Sequence, residues 1–267
     1  MEENQEFGPM QKRSSMECED CHGTGFVTYT VNGYQYAQPC QCGINEKKKP
    51  LAELPEPFQS SRLQNFRLDL YTREDSRKIA QKNIDIGRYW IEHYDEMKSE
   101  GQGMYVYSKA KGSGKTRYAV SLANELNRTR NVAVKFVSSP DLLNEIAASW
   151  NKDNNLDERQ LIQEVSNVEV LIIDDFGMEK VQPWIMGKYY QIINTRYIAK
   201  LVTIFTSNLS LDELTYDERI TSRIMERSYT LAFPEESLRR NIHKKKMDEL
   251  IRAVAGIKEE GSLQVAT

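Results

Sequence analysis

The stretch Lys111-Gly112-Ser113-Gly114-Lys115-Thr116 restricts what this chain can fold into more than any other. It follows an apolar run over 104–108 that predicts a buried strand, and it opens a segment over 114–127 that predicts a helix. Successive backbone N–H groups in such a loop can surround phosphate oxygens. Glycine is needed where the backbone turns tightly and approaches the ligand. Lys111, Gly112, Ser113 and Gly114 then form the cradle, Lys115 reaches the β- and γ-phosphates, and Thr116 holds Mg2+ through its hydroxyl. The full pattern asks for glycine five positions before Gly114, where this chain has Lys109. That departure bears on the geometry of the loop and its catalytic efficiency. It leaves Gly112, Gly114, Lys115 and Thr116 in place, so binding is expected to survive.

A second signal lies downstream. Leu171-Ile172-Ile173-Asp174-Asp175 is an apolar strand ending in two carboxylates. The carboxyl ends of strands in an open α/β sheet border the crevice where ligands bind. Asp174 is therefore expected to bind Mg2+ and Asp175 to polarise an attacking water. Adjacent side chains on a strand face opposite ways, so the pair must sit where the strand ends, with Phe176-Gly177 supplying the break.

The surrounding pattern supports an α/β fold. Strands are predicted over 104–108, 132–138, 168–173 and 201–206, with a fifth over 229–233. The run over 168–173 is almost continuously apolar, which suits a strand covered on both faces. A helix is predicted over 73–97 with Ile79, Ile86 and Trp90 on one face. Another begins with Ser139 as N-cap, Pro140 at the first helical position and Asp141 in the first turn. A last helix is predicted over 238–254. Strands alternating with helices indicate a central, mainly parallel sheet flanked by helices.

The chain has 267 residues, of which 28% are charged and 39% hydrophobic. That length suits one to two domains, and the composition is that of a globular protein. A net charge of −3 excludes a strongly basic nucleic-acid coat. No apolar run approaches the ~20 residues of a membrane span. Met1-Glu2-Glu3-Asn4 has no apolar leader, so the expected location is the cytoplasm. Pro50, Pro55 and Pro57 mark 47–69 as an extended linker between a small module at 1–46 and the α/β domain at 70–267.

All four cysteines fall in the small module, as Cys18-x2-Cys21 and Cys40-x-Cys42. In a reducing compartment this clustering points to metal rather than disulfides. Each pair can offer two thiolates to one tetrahedral Zn2+, with Gly23 and Gly25 bending the backbone toward the sulfurs. His22 could replace one cysteine. A segment this short would scarcely fold without metal.

The loop over 111–116 and the segment over 171–177 together resemble the AAA+ P-loop NTPases. The Ile172-Ile173-Asp174-Asp175-Phe176-Gly177 wording resembles the DnaC/DnaI bacterial helicase loaders and the related IstB transposition ATPases. The lead-in over 54–66 is also similar to that of the loaders. The C-x-x-C-x-G-x-G half-motif resembles the DnaJ zinc module. The whole cysteine module is closer to the N-terminal modules of DnaC-like phage and prophage proteins. The resemblance implies hydrolysis of ATP to ADP and phosphate. It implies that Asn208, after Thr206-Ser207, helps position the attacking water. Arg219, Arg223 and Arg227 share one helical face, and Arg223 matches the arginine finger that reaches a neighbouring subunit's γ-phosphate, so self-assembly follows. Arg239 matches the residue that approaches ATP in the same subunit, with Arg240 an adjacent alternative.

The implied function is loading of a hexameric replicative helicase onto single-stranded DNA, with ATP, Mg2+ and Zn2+ as cofactors. The alternatives are an IstB-like ATPase assisting DNA transposition, or a zinc-dependent nucleic-acid-binding adaptor with weak ATPase. In the loaders the N-terminal domain grips the helicase. Tyr29, Tyr34 and Tyr36 could stack on bases, pack the module's core or contact protein. His243-Lys244-Lys245-Lys246 is a local basic cluster, a solvated face or a DNA contact.

Overall fold

The computed structural model describes residues 26–31, 34–39, 54–150 and 157–263. The chain divides into two units, Met1–Lys49 and Pro50–Thr267. In the first, β1 (Phe26–Val31) pairs antiparallel with β2 (Tyr34–Pro39). Val31 faces Tyr34, which leaves only Asn32-Gly33 between the strands, a pair of residues suited to a tight hairpin. Tyr29 faces Tyr36. The cysteines and His22 lie outside the described residues.

The second unit is built on a five-stranded sheet of order β4-β5-β6-β3-β7. Its strands are β3 (Gly103–Tyr107), β4 (Val134–Ser138), β5 (Val170–Asp174), β6 (Val202–Ser207) and β7 (Ser228–Ala232). Every pairing is parallel. The strand alternation divides the core in two. Met104, Val106, Val170, Ile172, Val202 and Ile204 pack on one face. Tyr105, Leu171, Ile173 and Phe205 pack on the other. The first face is covered by α1 (Glu74–Glu92), α2 (Tyr94–Glu100) and α3 (Lys115–Arg130). The second is covered by α4 (Ser139–Ala148), α5 (Glu158–Asn167), α6 (Pro183–Ile198) and α7 (Glu218–Glu226). Because both faces are covered, the central strands read as unbroken apolar runs. A final helix, α8, spans Leu238–Leu263.

Gly103 shows how closely β3 and β6 approach. A Cβ there would lie 1.8 Å from the Thr203 carbonyl oxygen, so no side chain fits.

Four sequence expectations are corrected. The helix expected over 73–97 is two, broken at His93. The buried face of α1 runs through Ala80, Ile84, Gly87 and Ile91, so Trp90 is buried but Ile79 is 38% exposed. The N-cap of α4 is Ser138, whose hydroxyl accepts from the Asp141 N–H at 3.1 Å; Ser139 is already helical. The segment expected as an extended linker is packed structure from residue 54 onward. It forms short 3-10 turns at Glu56–Phe58, Leu63–Asn65 and Leu68–Leu70, and Leu54, Leu63 and Phe66 enter the first core face. Pro55 and Pro57 start the first of these turns, while Leu54, Leu63 and Phe66 recur closely enough to bury.

Arg196 of α6 is 1% exposed. It donates to the carbonyls of Val165 at 2.9 Å, Val168 at 2.8 Å and Val202 at 2.6 Å, and to the Thr203 hydroxyl at 2.9 Å. It thereby neutralises the partially negative C-terminus of α5 and ties it to β6. Burial pulls its pKa down to about 9. Arg196→Met should leave those carbonyls without donors and lower the unfolding free energy by about 3 kcal/mol. Urea denaturation followed by far-UV circular dichroism measures this; an unchanged midpoint would show that the latch contributes nothing.

Candidate nucleotide-binding site

Three neighbouring strand ends, those of β5, β6 and β3, deliver the site. The loop after β3 turns through Gly112 and Gly114, whose φ values are +76° and +104°. Both lie in the region that favours glycine. Both are also crowded: a Cβ on Gly112 would come within 2.9 Å of the Arg239 stem, and one on Gly114 within 3.0 Å of Phe66. Gly114 caps α3 without a side-chain hydrogen bond, and the first turn of α3 has no acidic residue. The first N–H groups and positive dipole end of α3 therefore have the character that suits an anion.

Lys115 begins α3 and is 5% exposed. Its ammonium donates to the carbonyls of Ser108 at 3.1 Å and Ala110 at 3.3 Å, and to Asn208 Oδ1 at 3.0 Å. None of these acceptors is a carboxylate. Burial lowers its pKa, and the carboxylates of Asp175, Asp174 and Glu235 oppose that shift. Thr116 donates to Asp174 Oδ1 at 2.8 Å. The Thr206 hydroxyl donates to the same oxygen. Asp174 is 8% exposed. Burial pushes its carboxyl up, while the two threonine hydroxyls pull it down. A neutral and an anionic oxygen side by side is the donor set that Mg2+ accepts when substrate phosphates and water complete its shell.

Asp175 is exposed, with φ +53°. The strand's alternation therefore breaks at Asp175 itself, one residue before the expected Phe176-Gly177. The Asp175 N–H donates to the Thr206 hydroxyl at 3.1 Å, and the Phe176 N–H to the Thr206 carbonyl at 2.8 Å. Thr206 thus fixes both aspartates. Asn208 sits between the Lys115 ammonium and the Met178 sulfur.

The loop is strapped from the far end of the chain. Ser108 donates to the Pro234 carbonyl at 3.0 Å. The two Glu235 oxygens accept from the N–H groups of Lys109 and Ala110, each at 2.9 Å. The Leu238 N–H donates to the Gly112 carbonyl at 2.9 Å, and Tyr71 donates to the Ser113 carbonyl at 2.6 Å. Glu236 accepts from the Thr72 N–H and hydroxyl at 2.6 and 2.7 Å and from Asn241 at 2.7 Å. Burial pushes the Glu236 carboxyl up, but hydrogen bonds from Thr72, Ser76 and Asn241 outweigh it and hold it at about 2.

These positions answer two questions left by the sequence. Lys109 has no positive φ, so its backbone does not need glycine; its ammonium pairs with Glu213 at 2.6 Å on the surface. Arg239, rather than Arg240, has its stem over Gly112. Lys111 is exposed at the loop's edge. Arg223 is not brought to the loop: its contacts are with Asn194, Tyr190 and Tyr197 of α6 and with the Arg219 carbonyl. Sequence reasoning missed Tyr71, Glu235 and Glu236. No local pattern marks them, since each acts on a backbone group far away in the chain.

The profile of the IstB-like ATP binding protein family matches residues 102–246. That is more than half of the 267 residues, and the chain belongs to this family. It is 28% identical over 176 residues to the replicative helicase loader DnaC of Buchnera aphidicola subsp. Baizongia pistaciae, covering 60% of this chain and 71% of that one. It is 26% identical over 226 residues to the phage-like element PBSX protein XkdC of Bacillus subtilis, covering 80% of each. Among solved structures, that of DnaI superposes with a TM-score of 0.55 at 24% identity, covering 72% of this chain and 99% of that one. The DnaC helicase loader superposes with a TM-score of 0.56 at 20% identity, covering 67% and 100%. These superpositions show the fold, which is AAA+-like. Among the described residues, no helix is long and apolar enough to cross a membrane.

Two outcomes test the site's construction. Lys109→Gly, which restores the usual glycine, should change ATP affinity by no more than about twofold in calorimetry, because the backbone there is unstrained. A tenfold gain would show that Lys109 distorts the loop. Glu236 has a folded pKa below its unfolded value, so its stabilisation is present above about 4.5 and lost as the pH falls toward 2. Glu236→Gln should therefore be less stable than the native chain at neutral pH, with the gap closing on acidification. A constant gap would contradict the hydrogen-bonded carboxylate.

Proposed function

We propose that this chain is an ATPase that loads a hexameric replicative helicase onto single-stranded DNA. The observation that carries the reading is the set of hydrogen bonds Thr116–Asp174, Lys115–Asn208 and Lys115–Ser108, which gathers the ends of β5, β6 and β3 at one helix N-terminus. In this reading the N–H groups from Gly112 to Thr116 bind the phosphates. Lys115 exchanges its carbonyl acceptors for phosphate oxygens. Thr116 and Asp174 hold Mg2+, which supplies charge neutralisation at the phosphates when bound. Asp175, turned out of the strand, accepts hydrogen-bond donation from the attacking water, and Asn208 orients that water. Arg239 reaches the phosphates from the same chain, and Arg223 reaches those bound to a second copy. Hydrolysis then proceeds by positioning and charge stabilisation, without a covalent intermediate.

The helicase partner is supported by the 28% identity to a DnaC loader over 176 residues. On the same reading, Cys18, Cys21, Cys40 and Cys42 hold Zn2+ in the module that contacts the helicase. The exposed cluster His243-Lys244-Lys245-Lys246 offers charge to DNA. A second reading, an ATPase assisting DNA transposition, is favoured by the family to which residues 102–246 belong.

Capture of a purified hexameric helicase by the full chain, with no capture of a transposase, is the expected result; the reverse would replace the first reading with the second. Lys115→Ala should abolish ATP binding in calorimetry. Asp175→Asn should keep affinity within about threefold while lowering hydrolysis by about 100-fold or more. Equal loss of binding in both variants would count against the separate roles.

A further inference from the structure

The face shared by α6 and α7 carries an alternating stack of charges and rings. Along α7 and its cap stand Arg219, Arg223 and Arg227; along α6 stand Tyr190 and Tyr197. The Arg219 guanidinium lies 5.3 Å from the Tyr190 ring centre. Arg223 lies 5.4 Å from Tyr190 and 5.4 Å from Tyr197. Arg227 lies 4.9 Å from Tyr197. The spacing follows from helix geometry: the span from Arg219 to Arg227 runs beside the nearly equal span from Tyr190 to Tyr197, so each ring is shared by two arginines.

The three arginines differ in how their charge is met. Arg219 is paired with Asp217 at 2.9 Å, and Arg227 approaches Glu226 at 3.7 Å. Arg223, in the middle, has no carboxylate partner among the described residues. Its Nε donates to Asn194 Oδ1 at 3.1 Å and its Nη1 to the Arg219 carbonyl at 2.5 Å. Two ring faces and two neutral oxygens orient a guanidinium without neutralising it. The remaining N–H groups, which meet no acceptor among the described residues, form a fork of the kind that takes phosphate oxygens.

We propose that Tyr190, Asn194 and Tyr197 are positioning residues that hold Arg223 rigid and charged for a phosphate anion, the triphosphate bound to a second copy of this chain. This rests on the ATPase reading above. Packing between two rings removes most of the side-chain freedom that an exposed arginine would lose on reaching its target, so the charge arrives already oriented. The flanking arginines keep their own carboxylates and so do not compete for the anion.

Tyr190 gives the cleanest test, because its ring alone meets Arg219 and Arg223. The full chain is assayed for ATP hydrolysis with single-stranded DNA present. Tyr190→Leu should lower kcat by about tenfold with KM for ATP within about twofold, and Tyr190→Phe, which keeps the ring, should stay within about twofold of native. Mixing the Tyr190→Leu chain with a Lys115→Ala chain should restore hydrolysis, because the second chain lends its intact Arg223 to ATP held by the first. Loss in Tyr190→Leu without restoration on mixing would mean a general folding defect and overturn the inference. Near-native hydrolysis by Tyr190→Leu alongside an inactive Arg223→Ala would also overturn it, while leaving the role of Arg223 intact. Near-native hydrolysis by Arg223→Ala would remove that role itself, and the inference with it.

Discussion

A carboxylate taken out of water must find partners or give up its charge, and Asp174 is placed under that constraint at the end of β5. Two hydroxyls meet it, one from Thr116 on α3 and one from Thr206 on β6. Both are neutral, so they hold the carboxyl in one place without pairing it with a positive charge. Those bonds fix the end of β5 relative to the start of α3 and the end of β6, and hence fix the distance between the phosphate loop and the acidic pair. The rest of the site inherits this spacing. Asp175 leaves the strand because the Thr206 hydroxyl takes its N–H, and Asn208 meets Lys115 because it follows two residues after Thr206.

The sheet and the phosphate loop were legible because their signals are local. Four apolar residues in a row before Asp174, or two glycines before Lys115 and Thr116, can be read without knowing what lies across the fold. The pairing of β1 and β2 carries an equally local signal, Asn32-Gly33 between two β-rich runs. The face of α1 was misjudged by one position: Ile79 is a large apolar residue, yet the helix turns Ala80, Ile84 and Gly87 inward because Tyr118 packs closely there. A Cβ on Gly87 would lie 2.7 Å from the Tyr118 hydroxyl. Small residues mark such an approach only once the partner is known.

The strap over the loop was not legible at all. Glu235 and Glu236 follow Pro234 with no local pattern to mark them. In the fold their neighbouring carboxylates point to different clients: Glu235 takes two N–H groups at the start of the phosphate loop, and Glu236 takes those of the lead-in at Thr72. The missing first glycine loses its importance for the same reason. The loop's entry is shaped by hydrogen bonds from Ser108 and to Glu235, and position 109 contributes only its backbone N–H, which every residue but proline supplies.

The strap also sets the footing of α8. That helix has 26 residues, roughly 39 Å of rise, and its first turn is pinned to the Gly112 carbonyl and to Glu236. A rod held at its base magnifies whatever happens there. A tilt of about ten degrees there would carry the far tip sideways by roughly 7 Å on simple leverage. The Gly112 carbonyl of the phosphate loop is thus joined to a long lever, through the Leu238 N–H and the Asn241–Glu236 side-chain pair.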